Sequence, residues 1–237
     1  MTDRFLQGRI ALVTGASRGI GAAAAEALAA AGAHAILTAR TAADLEQVEE
    51  RIHRAGGTAT IAPLDLTESD SIARLAAAVA ERWGRLDLLV LNAATLGSLT
   101  PVAQVDGKEF NRVLTLNLLA NQILIAAFDP LLRKSEAGRL VAVTSSVGRS
   151  PRAYWGAYGA SKAALETLVL SYAEEVRNLS AVKVAILDPG ATATTMRARA
   201  FPGEDPATLK PPAAVAEALA KLLAADFETG HRLDVAP

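Results

Sequence analysis

Short apolar runs alternate along the chain with longer stretches in which apolar residues recur every three or four positions. The short runs predict seven β-strands, at Ile10–Thr14, Ala33–Ala39, Thr58–Pro63, Leu86–Leu91, Arg139–Thr144, Val182–Leu187 and Arg232–Val235. The longer stretches predict helices near residues 19–31, 42–55, 69–83, 103–133, 157–178 and 212–225. Three of the strands are almost entirely apolar, which is typical of a parallel sheet covered on both faces.

The alternation of strands and helices predicts a single domain over residues 1–237. Repeated β-α units form a doubly wound α/β fold, here with a parallel sheet of about seven strands and helices on both faces. Residues 191–211 are the one long irregular stretch, with prolines at 202, 206 and 211. A long loop in such a domain is often functional, so we expect it to form a lid over a substrate.

Composition and charge exclude several classes of protein. The 24 basic and 25 acidic residues give a net charge of -1, which argues against binding to nucleic acid or to an anionic membrane. The chain has no cysteine and its three histidines are far apart, so disulfides, cysteine nucleophiles and a metal site are not expected. Neither a signal peptide nor a membrane span is recognised, and we expect a cytoplasmic protein.

Glycines cluster directly after the first predicted strand. The segment Gly15-Ala-Ser-Arg-Gly19-Ile-Gly21 joins that strand to the first helix. At such a turn, backbone N–H groups and the helix N-terminus can face a pyrophosphate, whereas side chains at the glycines would block its approach. The segment therefore predicts a dinucleotide site, although strand-to-helix turns also use glycine for geometry alone.

A tyrosine and a lysine at helical spacing are candidates for proton transfer. Tyr158 and Lys162 lie four residues apart at the start of a predicted helix, so both side chains can point into one cleft. We expect the Lys162 ammonium to lower the pKa of Tyr158, which would then exchange a proton with an alcohol or ketone near neutral pH. Taken alone, Tyr-x-x-x-Lys is more often a solvated helix face.

Two further polar residues strengthen the catalytic interpretation. Ser145 follows the fifth strand, at the carboxyl edge where open α/β sheets bind ligands. Asn117 lies within the predicted helix 103–133, where an asparagine lowers helix stability and is unexpected without a task.

These motifs together resemble the short-chain dehydrogenase/reductase family, whose fingerprints are Thr-Gly-x-x-x-Gly-x-Gly and Tyr-x-x-x-Lys. Residues 14–21 match the first fingerprint in full, and the resemblance extends over essentially the whole chain. It implies a Rossmann-type fold and hydride transfer between a nicotinamide cofactor and a small carbonyl or alcohol substrate. The family's longer branch of sugar-nucleotide epimerases has a different glycine spacing and a longer substrate domain, and is not favoured.

The resemblance implies a role for each catalytic residue. Tyr158 would be the general acid in reduction and the base in oxidation, and Ser145 would hydrogen-bond the substrate oxygen. Lys162 would lower the tyrosine pKa and hold the nicotinamide ribose, while Asn117 would hold a water that relays protons to Lys162. Ser145 is preferred to Ser146 because it precedes Tyr158 by 13 residues and begins a Ser-x-x-Gly segment, as in the family.

The end of the second strand bears on the choice of cofactor. NAD-specific members carry an acidic residue there, which accepts hydrogen bonds from a ribose 2′-hydroxyl and repels a 2′-phosphate. This chain has Ala39 at that position, followed by Arg40, and Arg18 lies in the glycine loop. Two guanidiniums could pair with a 2′-phosphate, so NADP(H) is favoured over NAD(H), although each arginine alone is more often a surface residue.

The resemblance also implies the other cofactor contacts. Asp65 follows the third strand, where family members hold the adenine, and Asn92 follows the fourth, in a segment that keeps half of the family's Asn-Asn-Ala-Gly. Pro189-Gly190 begins a Pro-Gly-x-x-x-Thr segment for the nicotinamide end. The predicted cofactor-binding residues are Gly15, Ser17, Arg18, Gly19, Ile20, Gly21, Arg40, Asp65, Leu66, Asn92, Ala93, Ala94, Lys162, Pro189, Gly190, Thr192 and Thr194.

The substrate remains open at this stage. Four arginines flank the predicted cleft, namely Arg149, Arg152, Arg197 and Arg199. They could receive a phosphate-bearing substrate such as a 3-oxoacyl thioester, or they could be solvated loop charges, which is the commoner case. Small ketones, diketones, sugars and steroid-like substrates compete with the thioester.

Two wider expectations complete the sequence-based picture. In the family, helices corresponding to 103–133 and 157–178 pair across a dimer axis, so we expect a homodimer or homotetramer. The alternative function is an NADP(H)-binding redox sensor without turnover. Such a protein should have lost Tyr158 or Lys162, and both are present.

Overall fold

Seven parallel strands form the sheet of the protein, whose structure is a computed structural model that describes residues 4–236. The strands are β1 Ile10–Thr14, β2 His34–Ala39, β3 Thr58–Pro63, β4 Leu88–Leu91, β5 Arg139–Val143, β6 Lys183–Asp188 and β7 His231–Asp234. They lie in the order β3-β2-β1-β4-β5-β6-β7, and every neighbouring pair is parallel. The order reverses between β1 and β4, and open sheets of this kind bind ligands at that carboxyl edge.

Helices cover both faces of this sheet. They are α1 Gly19–Ala30, α2 Ala42–Arg54, α3 Ser69–Trp83, α4 Gly107–Leu114, α5 Ala120–Leu132, α6 Gly156–Val176, α7 Thr195–Ala200 and α8 Pro212–Ala224. The predicted doubly wound, Rossmann-type sheet is therefore confirmed.

Two apolar clusters form the core, one on each face of the sheet. Alternate residues of β1 supply both, because successive side chains of a strand point to opposite faces. Leu12 packs with residues of α3, α5 and α6, whereas Val13 packs with residues of α1, α2 and α8. Both side chains are fully buried, and each such burial contributes about 1.5–3 kcal/mol. This double covering explains why the central strands are apolar throughout.

The predicted single helix over residues 103–133 begins later than expected and is divided into α4 and α5. Asp106 ends the irregular segment before it by capping α4, since its carboxylate accepts a hydrogen bond from the backbone N–H of Glu109 at 2.9 Å. A π-helical turn over Thr115–Leu119 then separates α4 from α5. Residues 107–132 are long and apolar enough to cross a bilayer by length and composition alone. In this structure, however, α5 packs against α3 and the sheet.

The segment 191–211 is less irregular than expected. It contains α7 and a 3-10 turn over Pro206–Thr208. The Thr194 hydroxyl starts α7 by accepting a hydrogen bond from the backbone N–H of Arg197 at 3.1 Å. The hydrogen bond to this capping threonine helps to explain how a helix of only six residues forms here. The predicted lid function stays a prediction.

Candidate active site

A cavity of about 740 Å³ lies along the carboxyl ends of β1, β4, β5 and β6. All of the predicted cofactor-binding residues line it, together with Ser145 and Tyr158. Asn117 does not line the cavity but lies fully buried beside it. The topology thus gathers residues spread over 180 positions of sequence, from Gly15 to Thr194, around one space.

The glycine loop is packed so closely that it leaves no room for side chains at two positions. A Cβ atom on Gly21 would lie 2.2 Å from the carbonyl oxygen of Gly15, and one on Gly15 would lie 2.9 Å from the Cα of Ala93. Gly15 also has a φ of 65°, in the left-handed region that favours glycine. These two glycines are therefore required by the fold of the loop itself, whatever the loop binds.

Asn92 fastens this loop to the neighbouring strand. Its amide nitrogen donates to the backbone carbonyl of Thr14 at 2.8 Å, and its backbone N–H donates to the Thr14 hydroxyl at 2.9 Å. That hydroxyl also accepts from the N–H of Ala93 at 3.0 Å and donates to the carbonyl of Val90. The Asn92 side chain thus shapes the cavity from behind the loop.

The N-terminus of α1 is open toward the cavity. Its N-cap residue is Arg18, which makes no side-chain cap, and its first turn has no acidic residue. The first backbone N–H groups of a helix lack helical partners and carry a partial positive charge. They can therefore bind a phosphate group.

Two arginines lie at the same end of the cavity. Arg18 and Arg40 are exposed, and neither forms an ion pair within residues 4–236. The nearby Asp65 carboxylate accepts hydrogen bonds from the backbone N–H and the hydroxyl of Thr67, at 2.9 and 2.8 Å. These bonds hold the pKa of Asp65 below its usual value, with a smaller contribution from Arg40. Asp65 therefore shapes the loop that follows β3 and also lines the cavity.

Tyr158 and Lys162 lie on the inner face of α6, one turn apart. Both are buried, and the Lys162 ammonium lies 5.7 Å from the centre of the Tyr158 ring. Lys162 Nζ donates a hydrogen bond to the carbonyl of Val143, at the end of β5, at 2.8 Å. Ser145 lies two residues beyond that carbonyl, and its hydroxyl has no hydrogen-bond partner in the described chain. The three side chains thus meet at one wall of the cavity.

The protein's own groups do not produce the lowered Tyr158 pKa that was expected from Lys162 together with the charge of a bound cofactor. Burial raises that pKa, and the negative charge of Asp188 raises it further. Burial also lowers the pKa of Lys162 to about 8, although Glu166 and Asp188 oppose the effect. Burial is the largest influence on the pKa of both groups, so the tyrosine holds its proton near neutral pH.

Asn117 lies in the π-helical turn and ties two segments together. Its amide oxygen accepts from the N–H of Thr95 at 2.8 Å, and its amide nitrogen donates to the carbonyl of Thr95 and the hydroxyl of Ser161. Its backbone carbonyl accepts from the side chain of Asn121 at 2.8 Å. Asn117 thereby links the loop after β4 to α6 next to Lys162, and the proton relay stays a prediction.

The two threonines beyond β6 line the cavity while their hydroxyls serve the loop. Thr192 donates to the carbonyl of Pro189 at 3.1 Å, and Thr194 caps α7. Gly190 has a φ of 62°, and its N–H donates to the Asp188 carboxylate at 3.0 Å.

Two of the four flanking arginines are held by acidic partners. Arg149 forms ion pairs with Asp188 at 3.1 Å and Asp234 at 2.7 Å, whereas Arg197 pairs with Glu204. Arg199 lines the cavity without an ion pair in the described residues, and Arg152 does not line it. Several residues that line the cavity were not predicted as site residues, among them Leu96, Arg112, Leu116 and Ala200.

The wall around Tyr158 is apolar and aromatic. Tyr158 clusters with Leu96 and Val147, and Trp155 and Met196 pack against this cluster. The Trp155 ring lies edge-on to Tyr158 at 6.0 Å and faces Phe201, beyond α7, at 5.7 Å. Trp155 lines the cavity, while the exposed Tyr154 does not. The residues that pack together in this wall are far apart in sequence. Their positions at strand ends and in loops are therefore the signal by which the sequence could have identified them.

Comparisons with known proteins agree with this architecture. Residues 9–205 match the family model described as short chain dehydrogenase. The chain is 40% identical to the uncharacterized oxidoreductase YciK of Escherichia coli K12, over 98% of this chain and 94% of that protein. A short chain dehydrogenase from Salmonella enterica serovar Typhi superposes with a TM-score of 0.95 at 39% identity, covering 100% of this chain and 99% of that one. A solved structure from Shigella flexneri 2a, complexed with NADP, has a TM-score of 0.93 at 40% identity, covering 100% of both chains.

Proposed function

The chain is an oxidoreductase that belongs to the short-chain dehydrogenase family, and from this premise we propose that it transfers a hydride between NADP(H) and a carbonyl or alcohol substrate. The observation that carries the proposal is the meeting of Ser145, Tyr158 and Lys162 in the cavity that begins at the glycine loop. A proton donor, a hydrogen-bond donor and a cation then face one substrate site.

The phosphate-binding end of the cavity fits NADP(H). The tight approach at Gly15 and Gly21 exposes backbone rather than side chains, and the uncapped N-terminus of α1 suits a pyrophosphate. Arg18 and Arg40 are free to pair with a 2′-phosphate. The related structure from Shigella flexneri is a complex with NADP, which supports the same choice here. When bound, the nicotinamide supplies or accepts the hydride.

The side chains around Tyr158 supply the proton and hold the substrate. Because burial raises the pKa of Tyr158, its phenol enters the reduction protonated and can give its proton to the substrate oxygen. The Ser145 hydroxyl can donate a hydrogen bond to the same oxygen as negative charge develops there. The Lys162 ammonium then stabilises the phenolate that remains. In oxidation, the phenolate takes the proton back.

The oxidoreductase proposal is tested by following NADPH absorbance across a panel of carbonyl compounds, with NADH in parallel. The panel contains 3-oxoacyl thioesters, diketones, aldehydes and keto-sugars. We expect NADPH-dependent turnover on at least one class. Binding of NADPH without turnover on any of them would instead support a redox sensor.

Reduction of 3-oxoacyl thioesters is a narrower proposal for the same site. The apolar wall of Trp155 and Met196 suits an acyl chain, and Arg112 and Arg199 line the cavity without ion pairs in the described residues. Arg149 contributes less, because two carboxylates already hold it. If a thioester is the substrate, Arg199→Ala should raise its KM while leaving turnover of a small ketone unchanged.

We propose a cytoplasmic homodimer or homotetramer that pairs through α5 and α6. Support comes from Leu119, the last residue of the π-helical turn directly before α5, which is 52% exposed. Light scattering on the purified chain measures the mass directly, and a monomer at micromolar concentration would contradict the pairing.

A further inference from the structure

A buried carboxylate lies behind the active site and takes no part in the chemistry above. Glu166 is on α6, one helical turn beyond Lys162, and its side chain is 8% exposed. One carboxylate oxygen accepts a hydrogen bond from the Thr144 hydroxyl at 2.6 Å. The other accepts from the Arg232 guanidinium at 2.5 Å. A buried charge is costly, and each oxygen of this carboxylate has one hydrogen-bond partner.

These contacts connect Glu166 to the two catalytic side chains beside it. Thr144, which Glu166 holds, lies between Val143 and Ser145 at the end of β5. The Val143 carbonyl accepts the hydrogen bond from Lys162. Three consecutive residues thus receive the ammonium, bind Glu166 and present the serine hydroxyl. A shift of Thr144 would move both neighbours.

Several charged groups on different elements surround Lys162. The groups that face Lys162 or its acidic neighbours are Tyr158 and Glu166 on α6, Asp188 at the end of β6, Arg232 on β7, and the loop residues Arg149 and Lys210. Only Glu166 and Asp188 oppose the effect of burial on the Lys162 pKa. Asp188 is shared with Arg149 and with the backbone of Gly190.

We propose that Glu166 is a positioning residue for the reaction, which fixes the β5 edge through Thr144 and places a buried carboxylate one helical turn from Lys162. The role in the reaction rests on the proposed function, whereas the effect of Glu166 on Lys162 can be measured without turnover. Arg232 holds the pKa of Glu166 below its usual range, so the carboxylate is ionised. The strand β7 thereby contributes to the active site without lining it.

The first test measures the ammonium itself. The Lys162 pKa is read by NMR from carbon-13-labelled lysine, with the signal assigned by its loss in Lys162→Arg. Glu166→Gln keeps the shape but removes the charge. Its amide oxygen can still accept from Arg232 while its NH2 donates to the Thr144 hydroxyl, and the pKa of Lys162 should fall by about one unit. Glu166→Asp should return it most of the way. The matched control is Glu174→Gln, an exposed acid on the same helix, which should leave it unchanged.

The second test separates charge from positioning by kinetics. At pH 8, a fall of one unit in the Lys162 pKa leaves about one fifth as much ammonium, so Glu166→Gln should lose about fivefold in kcat there and little at pH 6. Thr144→Val keeps the charge of Glu166 but removes the hydrogen bond between the two residues. The resulting loss of kcat should therefore be independent of pH.

Each result of these tests either supports or contradicts the role of Glu166. A Lys162 pKa that is the same in the wild type and in Glu166→Gln overturns the proposal. If Glu166→Gln does not fold, Glu166→Met combined with Arg232→Met removes the pair without leaving an unpaired charge, and the same pKa is read. Absence of turnover in the wild type would count against the proposed oxidoreductase function, while the NMR result would still decide the role of Glu166.

Discussion

The two ends of the cavity are built from different materials. The phosphate end, residues 15–21 with Asn92 behind them, uses backbone groups, glycines, a neutral amide and the two exposed arginines Arg18 and Arg40. The catalytic end, around Ser145, Tyr158 and Lys162, uses buried ionisable side chains with acids behind them. Backbone dipoles do not titrate, whereas buried side chains respond strongly to every nearby charge. Substitutions at the first end should therefore act through fit or through a change of a fixed charge, and those at the second through protonation.

The largest effect is expected at the catalytic end, from Tyr158→Phe. Removing the phenolic hydroxyl deletes the proton donor, so kcat should fall about 10²–10⁴-fold. The ring still packs against Trp155, so NADPH should bind as before. Steady-state kinetics and fluorescence titration measure the two quantities. Turnover near the wild-type level would show that another group transfers the proton.

At the phosphate end, Gly21→Ala should have the next largest effect. The added Cβ would meet the Gly15 carbonyl and the Asn92 amide, and relief of such overpacking costs about 1–3 kcal/mol. We expect a lower Tm and NADPH binding weakened by at least tenfold, by calorimetry. The control is Gly107→Ala, at the open first turn of α4, which should change neither. Equal losses in both variants would mean that the clash is not the cause.

The arginines of the phosphate end predict a change in selectivity with a smaller effect. Arg40→Asp replaces a partner of the 2′-phosphate with a repelling charge, so the preference for NADPH over NADH should fall about tenfold or more. The ratio of the two kcat/KM values measures it. Lys108→Asp, at another exposed cation, serves as the control. An unchanged ratio in Arg40→Asp would remove the basis for the NADP(H) assignment.

The smallest effect is expected in the pH dependence of the wild-type enzyme. There, kcat reports on the catalytic end and NADPH affinity on the phosphate end. The ammonium form of Lys162 is lost as the pH rises through its pKa of about 8, so kcat for reduction should fall about fourfold between pH 7 and 8.5. The raised pKa of Tyr158 keeps the phenol protonated over this range. NADPH affinity, which depends on backbone groups and arginines, should stay nearly constant. A parallel loss of binding would show that the decline arises at the phosphate end.

Several site features could not have been derived from the sequence. Arg149 and Arg197 were equal candidates for a substrate phosphate with Arg199, and only their ion pairs with Asp188, Asp234 and Glu204 distinguish them. Asn117 was predicted to serve a proton relay, which stays a prediction, and only the structure shows that its amide joins Thr95 to Ser161. Each of these outcomes depends on contacts between side chains that are far apart in the chain, and the local sequence does not determine such contacts.

The amino-acid sequence by itself determined the seven strands, the glycine loop, and the spacing of Tyr158 and Lys162, because each depends on periodicity or on neighbours within a few residues. Only the tertiary structure decided the protonation of the catalytic end. The pKa values of Tyr158 and Lys162 are set by burial and by charges on other elements. The partner that holds Glu166 is 66 residues away on β7, and the sign of a pKa shift follows from such contacts rather than from residue type.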